Sequence, residues 1–314
     1  MSVYTSLSMA DIQPLLQDYA IGQPLRLEGI SAGVDNSNFY LTTDQGRFVL
    51  TLVEDPDQAA AVDHLLRLTT YLADRCIPAP RPIADRHGQT HHALRGRPVL
   101  LVTHLPGIHL EAPTPDHCAR VGALLGRIHL AGEGFPDPRP NPMGPVAWHA
   151  LFKRMQPLLE RDEPTMARLI ANELATLDNG FFRSALPSGV CHGDLFPDNV
   201  LFVEQGPVGV IDFHYACRER WLYDLAIALV AWGFDPAGRF LPDHFQAMVT
   251  GYHAVRALTM QEISLENEAL RAASLRFLLT RLRDRLFPRS GAQTTRKSPD
   301  PFLKRLLFCQ NDRV

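Results

Sequence analysis

The stretch Val190-Cys191-His192-Gly193-Asp194-Leu195-Phe196-Pro197-Asp198-Asn199-Val200-Leu201-Phe202-Val203, followed by Gly206 to His214, constrains this chain more than any other. It reads as a polar loop, an apolar run, a turn and a second apolar run ending in Asp212. Val200 to Val203 and Val208 to Ile211 are short, β-branched and apolar, which suits two strands. Gln205-Gly206 fits the turn between them, although Gln-Gly is a weaker hairpin signal than Asn-Gly. With that turn, Asn199 and Asp212 stand equidistant from it and face each other at the open end of the hairpin. An amide oxygen and a carboxylate then meet, both suited to a hard cation such as Mg²⁺. Asp194 lies five residues before Asn199, on the loop feeding the same end.

This is the spacing of the kinase catalytic loop, in which an Asp takes the acceptor proton and an Asn five residues on binds metal. Asp212-Phe213-His214 stands where that fold carries its metal-binding Asp-Phe-Gly. His192-Gly193-Asp194 with Asp198-Asn199 resembles the aminoglycoside phosphotransferase and choline kinase-like group rather than protein kinases. The resemblance implies an α+β, bilobal, protein-kinase-like fold. Residues 1–103 would form a small antiparallel-sheet lobe that binds nucleotide, and 104–314 a larger, mainly helical lobe with the catalytic and acceptor-binding groups. ATP and Mg²⁺ are the implied cofactors, Asp194 the catalytic base, and Asn199 and Asp212 the metal ligands. His192 would order the loop rather than take the proton. Taken singly, Asp194 or Asn199 reads as a polar turn before a buried hairpin, and only the joint pattern carries the assignment.

Composition bounds the alternatives. With 314 residues the chain has room for two sizeable cores. Its 46% hydrophobic and 21% charged residues are ordinary for a globular protein. A net charge of −3 gives no support to a nucleic-acid partner. No apolar run reaches the roughly 18 residues of a membrane span. Residues 1–10 lack the basic start and apolar core of a secretory signal. Five dispersed cysteines without a Cys-x-x-Cys pair fit a reducing cytoplasm better than a disulfide framework. Cys191 and Cys217 read as small buried thiols. The thirteen histidines include no His-Glu-x-x-His.

In chain order, Leu7 to Tyr19 reads as a helix capped by Ser8. Leu25 to Ile30, Phe39 to Thr43 and Arg47 to Val53 read as an antiparallel meander. The intervening 31–38 reads as a loop of small residues. By position it would cover the ATP phosphates, with Gly33 relaxing the backbone and Asn36, Ser37 and Asn38 offering donors. Thr51 occupies the place where kinase-like folds carry a phosphate-binding Lys, and the following helix, 58–75, offers Asp63 and His64 but no Glu. Arg47 is the nearest alternative cation. Pro98 to Leu105 reads as a buried strand that becomes the hinge in the resembled fold, so Thr103, His104 and Leu105 would meet adenine through their backbone.

Beyond the hinge, Thr114 to Ala131 reads as a helix whose end, Leu125-Gly126-Arg127-Ile128-His129, resembles the Leu-Gly-x-Leu-His helix of the same group. His129 reads there as a packing residue. Trp148 to Leu177 reads as helix interrupted by Pro157 and Pro164, with a solvated charged face. Trp221 to Trp232 is an apolar helix in which Asp224 must find donors if buried. The resemblance implies that Asp224 accepts hydrogen bonds from the catalytic-loop backbone. Leu241 to Ala257 and Leu265 to Leu286 read as two more helices, the last with an arginine stripe that is solvated or binds an anionic acceptor group. Residues 289–314 are polar, then weakly amphipathic, and suggest no task.

Over roughly residues 1–290 the chain resembles the homoserine kinase branch of this group. The resemblance is carried by Leu27-Glu28-Gly29-Ile30, Asn36-Ser37-Asn38-Phe39, Arg47 to Leu52, Pro78-Ala79-Pro80-Arg81-Pro82, the 190–199 stretch and Leu275 to Leu282. In that branch a Thr at the Lys position is no anomaly. The resemblance implies phosphorylation of L-homoserine by ATP, a cytoplasmic step of threonine synthesis. Two other readings stay open: the same fold acting on an amino alcohol, a sugar or an aminoglycoside, and a nucleotide-binding regulatory pseudokinase, suggested by Thr51.

Overall fold

A computed structural model describes residues 5–30, 36–137, 139–204, 206, 208–288 and 297–311. They fall into two compact units. The first takes in 5–107 and 209–214, the second 108–208, 215–288 and 297–311.

The first unit is built on a five-stranded antiparallel sheet: β1 (Pro24–Gly29), β2 (Ser37–Thr43), β3 (Gly46–Leu52), β4 (His91–Leu94) and β5 (Arg97–Thr103), in the order β1-β2-β3-β5-β4. Strict alternation of buried and half-buried residues along β2 reflects the period of a pleated strand, so Phe39 and Leu41 face the core. They meet Leu50, Leu52, Val99 and Leu101 from the neighbouring strands and Ile12 and Leu16 from α1 (Met9–Leu16). Ser8 caps α1 in a reciprocal box with Asp11. Beyond β3 come α2 (Pro56–Ala59) and α3 (Val62–Ala73).

The second unit is mainly helical: α4 (Pro115–Ala131), α5 (Pro145–Asp162), α6 (Pro164–Asn179), α7 (Trp221–Trp232), α8 (Pro242–Val255), α9 (Met260–Ser264), α10 (Glu266–Leu286) and α11 (Asp300–Asn311). Pro164 opens α6, but Pro157 lies inside a continuous α5 and does not interrupt it. α7 is buried on every face. α4 lies against α8 at glycine-level distance: a Cβ on Gly122 would sit 2.1 Å from the Met248 carbonyl oxygen. The 300–311 stretch, to which the sequence suggests no task, is α11. Its Phe302, Leu306 and Cys309 are buried, and its Cys309 carbonyl accepts from Asn267 of α10 at 2.7 Å.

Short strands frame the loop of interest. β6 (Ser188–Cys191) pairs antiparallel with β9 (Cys217–Arg220), with Cys191 opposite Cys217. The strands expected at Val200 to Val203 and Val208 to Ile211 are two residues long each, β7 (Val200–Leu201) and β8 (Gly209–Val210). Phe202 instead bridges Ile108, with N···O distances of 2.9 Å both ways. Gln205 of the expected turn lies outside the described residues.

Candidate active site

β6 delivers the chain to His192, and from there the loop is held almost atom by atom. Gly193 turns at φ +79°, and a Cβ there would sit 2.6 Å from the Tyr215 carbonyl oxygen, so only glycine fits. Asp224, in the first turn of α7 and fully buried, accepts from the backbone N–H of His192 at 2.7 Å and of Gly193 at 2.8 Å. The Gly193 carbonyl accepts from the Arg276 guanidinium of α10. The Asp194 N–H donates to His192 Nδ1 at 3.2 Å, and Trp232 Nε1 donates to the Leu195 carbonyl at 2.9 Å. Asn199 donates its amide to the Asp194 carbonyl oxygen at 2.8 Å and to its Oδ2 at 3.3 Å. Asp194 itself stays partly exposed. The result is a carboxylate at the surface of a loop whose backbone groups are nearly all engaged.

The ionic state behind the loop follows from its donors. Arg256 donates to the Tyr252 hydroxyl oxygen at 3.1 Å, Tyr252 lies 2.7 Å from His129 Nδ1, and His129 Nε2 lies 3.0 Å from Asp224 Oδ2. A neutral imidazole with its proton on Nε2 satisfies this chain: Tyr252 O–H donates to Nδ1, and Nε2–H donates to Asp224. Burial lowers the His129 pKa, against the pull of Asp224. Burial alone would raise the Asp224 carboxyl, but the hydrogen bonds from His129 and the loop backbone outweigh it and hold it below the usual carboxylate range. Asp224 is therefore ionised and His129 neutral. Arg256 completes the row by pairing with buried Glu262 at 2.8 Å. The potential ligand atoms of His129, Cys191 and Asp224 lie within 4.8 Å of one another. Both Asp224 oxygens are already taken by three donors, and burial raises the Cys191 thiol well above its ordinary value, so this cluster is packing rather than a metal centre.

In the first unit, Gly33 lies outside the described residues. Asn36 is buried and donates to Gln58 at 2.9 Å, accepts from the Glu54 N–H at 3.1 Å, and lies 2.9 Å from His214 Nε2. Ser37 corrects the sequence reading. It belongs to β2, is fully buried, and gives its hydroxyl to Glu54 at 2.6 Å, so it offers no side-chain donor to a phosphate. The extended strand begins two residues earlier than expected because the alternation that buries Phe39 and Leu41 also buries Ser37. Asn38 stands opposite Thr51 in register, and Thr51 Oγ1 donates to its Oδ1 at 2.7 Å. The place of the usual Lys is thus closed by a neutral pair. Arg47 lies over the Tyr40 ring at 3.8 Å. Thr103 ends β5, bonded to Arg81 through both its N–H and its hydroxyl, at 2.9 Å each. His104 packs edge-on to Tyr40, and burial, then Arg47, lower its pKa. Leu105 is half-buried. Asp212 adopts φ +65°, uncommon outside glycine, and is substantially exposed.

Sequence reasoning missed the buried ionic support. The arginine stripe reads as solvated or as binding an anionic acceptor group, whereas Arg276 is 3% exposed and reaches the Gly193 carbonyl. Glu173 was read on a solvated face, yet it is buried and takes a two-point bond from Arg271 at 2.6 and 2.8 Å. Nothing in the spacing announces either, since a helix face becomes interior only when another element covers it. For Tyr252, Arg256 and Glu262 the signal was absent as well. A cavity of about 180 Å³ between Gly132–Phe135 and Ser188–Val190 is lined by none of residues 192–199.

The chain matches the model of the phosphotransferase enzyme family over residues 26–258. It is 40% identical to a homoserine kinase of Methylobacterium radiotolerans, covering 100% of this chain and 97% of that one. It is likewise 40% identical to a homoserine kinase of Caulobacter vibrioides, covering 98% and 96%. Among solved structures it is similar to spectinomycin phosphotransferase APH(9)-Ia, with TM-score 0.73, 14% identity, and coverage of 98% and 99%. The amicoumacin kinase hAmiN gives TM-score 0.70 at 14% identity, with coverage of 97% and 94%.

Proposed function

The chain belongs to the phosphotransferase enzyme family, and on that premise we propose that it transfers the γ-phosphoryl group of ATP to the hydroxyl of L-homoserine, giving O-phospho-L-homoserine in the cytoplasmic synthesis of threonine. The observation that carries the reaction type is the fixed loop: Asp194 is held by Asp224 and Arg276 through Gly193, by Trp232 through Leu195, and by Asn199 through its own carbonyl. The full-length kinship with homoserine kinases favours that acceptor.

In this reading Asp194 accepts the proton of the acceptor hydroxyl as it attacks, and its geometry is set before substrate arrives. Asn199 uses its amide nitrogen on Asp194, which leaves its carbonyl oxygen for a hard cation. Asp212, an exposed carboxylate, is the second proposed metal ligand. Bound Mg²⁺ would supply neutralisation of phosphate charge. Asn36, Asn38 and the backbone of Thr103, His104 and Leu105 are the nucleotide-side groups. The small lobe would span 1–103 and the catalytic lobe 104–314. His192 and Asp224 position the loop and touch no reactant.

A coupled ADP-release assay over L-homoserine, choline and kanamycin tests the reading. Turnover is expected with L-homoserine and a divalent metal. Preference for choline or kanamycin would move the chain to another acceptor class, and ATP binding without turnover on any acceptor would make it a pseudokinase.

A further inference from the structure

α10 carries five arginines, and their commitments differ. Arg271 is paired with Glu173, Arg283 with Asp284 and Arg285 with Glu163. Arg276 is buried on the Gly193 carbonyl. Arg281 has no carboxylate partner among the described residues. It gives one donor to the Ser298 carbonyl at 3.0 Å and lies over the Phe302 ring at 4.3 Å, half-buried.

Its surroundings tie Arg281 to the catalytic loop. Phe277, one turn earlier on the same face of α10, packs against Phe196 at 4.8 Å, two residues past Asp194. Phe302 packs against Phe277 at 5.1 Å and carries the Arg281 guanidinium on its face. Burial lowers the Arg281 pKa, and the fields of Asp198 and Asp194 oppose that loss, which puts both carboxylates within electrostatic reach. The nearby Lys297 is 3.5 Å from Asp198 and largely exposed, so it is already matched. The aromatic wall and the Ser298 carbonyl fix the guanidinium in place, and among the described residues the rest of its fork has no further partner. That is the donor geometry a carboxylate accepts at two points.

Resting on the acceptor reading above, we propose that Arg281 is the anchor for the acceptor's α-carboxylate, held beside Asp194 so that a hydroxyl on the same small molecule reaches that base. The ligand class is a short amino acid with a side-chain hydroxyl. An amino alcohol without a carboxylate gains nothing from the anchor, so Arg281 selects homoserine-like acceptors over choline-like ones.

Steady-state kinetics of Arg281→Gln in the full chain test this. The KM for L-homoserine should rise roughly 10- to 100-fold, the loss expected for a charge-assisted two-point contact, while kcat changes far less and the KM for ATP holds. The Ki of L-2-aminobutyrate, which keeps the carboxylate and lacks the hydroxyl, should rise by a similar factor, and the Ki of 3-aminopropan-1-ol should stay constant. Arg281→Lys, which keeps the charge without the fork, should show a smaller rise, and thermal unfolding checks that both variants fold. An unchanged L-homoserine KM in an active Arg281→Gln enzyme, or equal losses for the two inhibitors, overturns the anchor and leaves the acceptor reading standing. A wild-type enzyme inert towards L-homoserine overturns both.

Discussion

The loop around Asp194 and the β2–β3 face around Thr51 are both polar regions, and they are built in opposite ways. The loop is backed by buried charge: Asp224, Arg276, Arg256 and Glu262 are each at most 7% exposed, and every one is paired or bonded to loop backbone. At Thr51 the β2–β3 face is closed by a neutral hydrogen bond to Asn38 at 2.7 Å, while Glu54 just past β3 accepts from Ser37 and pairs with Arg97 at 3.2 Å. Buried ions are costly unless fully satisfied, so their use behind the loop favours one geometry over all others. A neutral hydrogen bond in a sheet is worth little and commits nothing. The lesson is that this chain concentrates its preorganisation on the loop that carries Asp194 and leaves the β2–β3 face neutral at Thr51.

The widest test of that contrast is Asp194→Ala. Loss of a positioned base should cut kcat about 10²- to 10⁴-fold, while ATP binding by titration calorimetry stays close to wild type. Retained turnover would remove Asp194 from its role. Next comes Asp224→Ala, which strands two backbone N–H groups and His129 in the interior. Breaking such a buried set should cost about 3–5 kcal/mol in chemical denaturation and lower kcat as the loop relaxes. A loss below about 1 kcal/mol, the scale of an ordinary hydrogen bond, would show that the loop does not depend on it.

A smaller effect should appear in the pH dependence of stability. The folded His129 pKa lies below its unfolded value, so the unfolded chain binds more protons as acid is added. Stability from this residue is intact above about pH 6.5, the unfolded reference, and declines as pH falls below it. Asp224, also lowered, adds its own loss further down, below the unfolded carboxylate value and on through the folded one. Urea midpoints from pH 8 to 4 should trace this decline, and His129→Gln should flatten its upper part. A midpoint that rises on acidification from pH 7 to 5.5 would contradict the neutral imidazole. The smallest change should be Thr51→Val, which removes one hydrogen bond and should cost about 1 kcal/mol with the KM for ATP nearly constant. A large rise in that KM would mean the β2–β3 face contributes more to nucleotide binding than its neutral chemistry suggests.

The sequence by itself determined the parts whose information is local. Spacing from His192 to Asn199 specified the loop, apolar runs between turns marked the meander, and Ser8 announced the helix it caps. The protein-kinase-like α+β architecture was legible for the same reason, because period and motif survive in one dimension. Where the pattern was weak the reading slipped: Ser37 looked like a loop donor and lies in a strand, and Pro157 looked like a break and lies within a helix. Only the tertiary structure decided which charges are interior. Asp224 and His129 are 95 residues apart, and Gly193 and Arg276 are 83 apart. Arg276 and Arg281 carry the same side chain on one helix, and one is buried on the Gly193 carbonyl while the other is half-buried over Phe302. Burial and pairing depend on which elements cover a face, and no run of neighbouring residues encodes that covering.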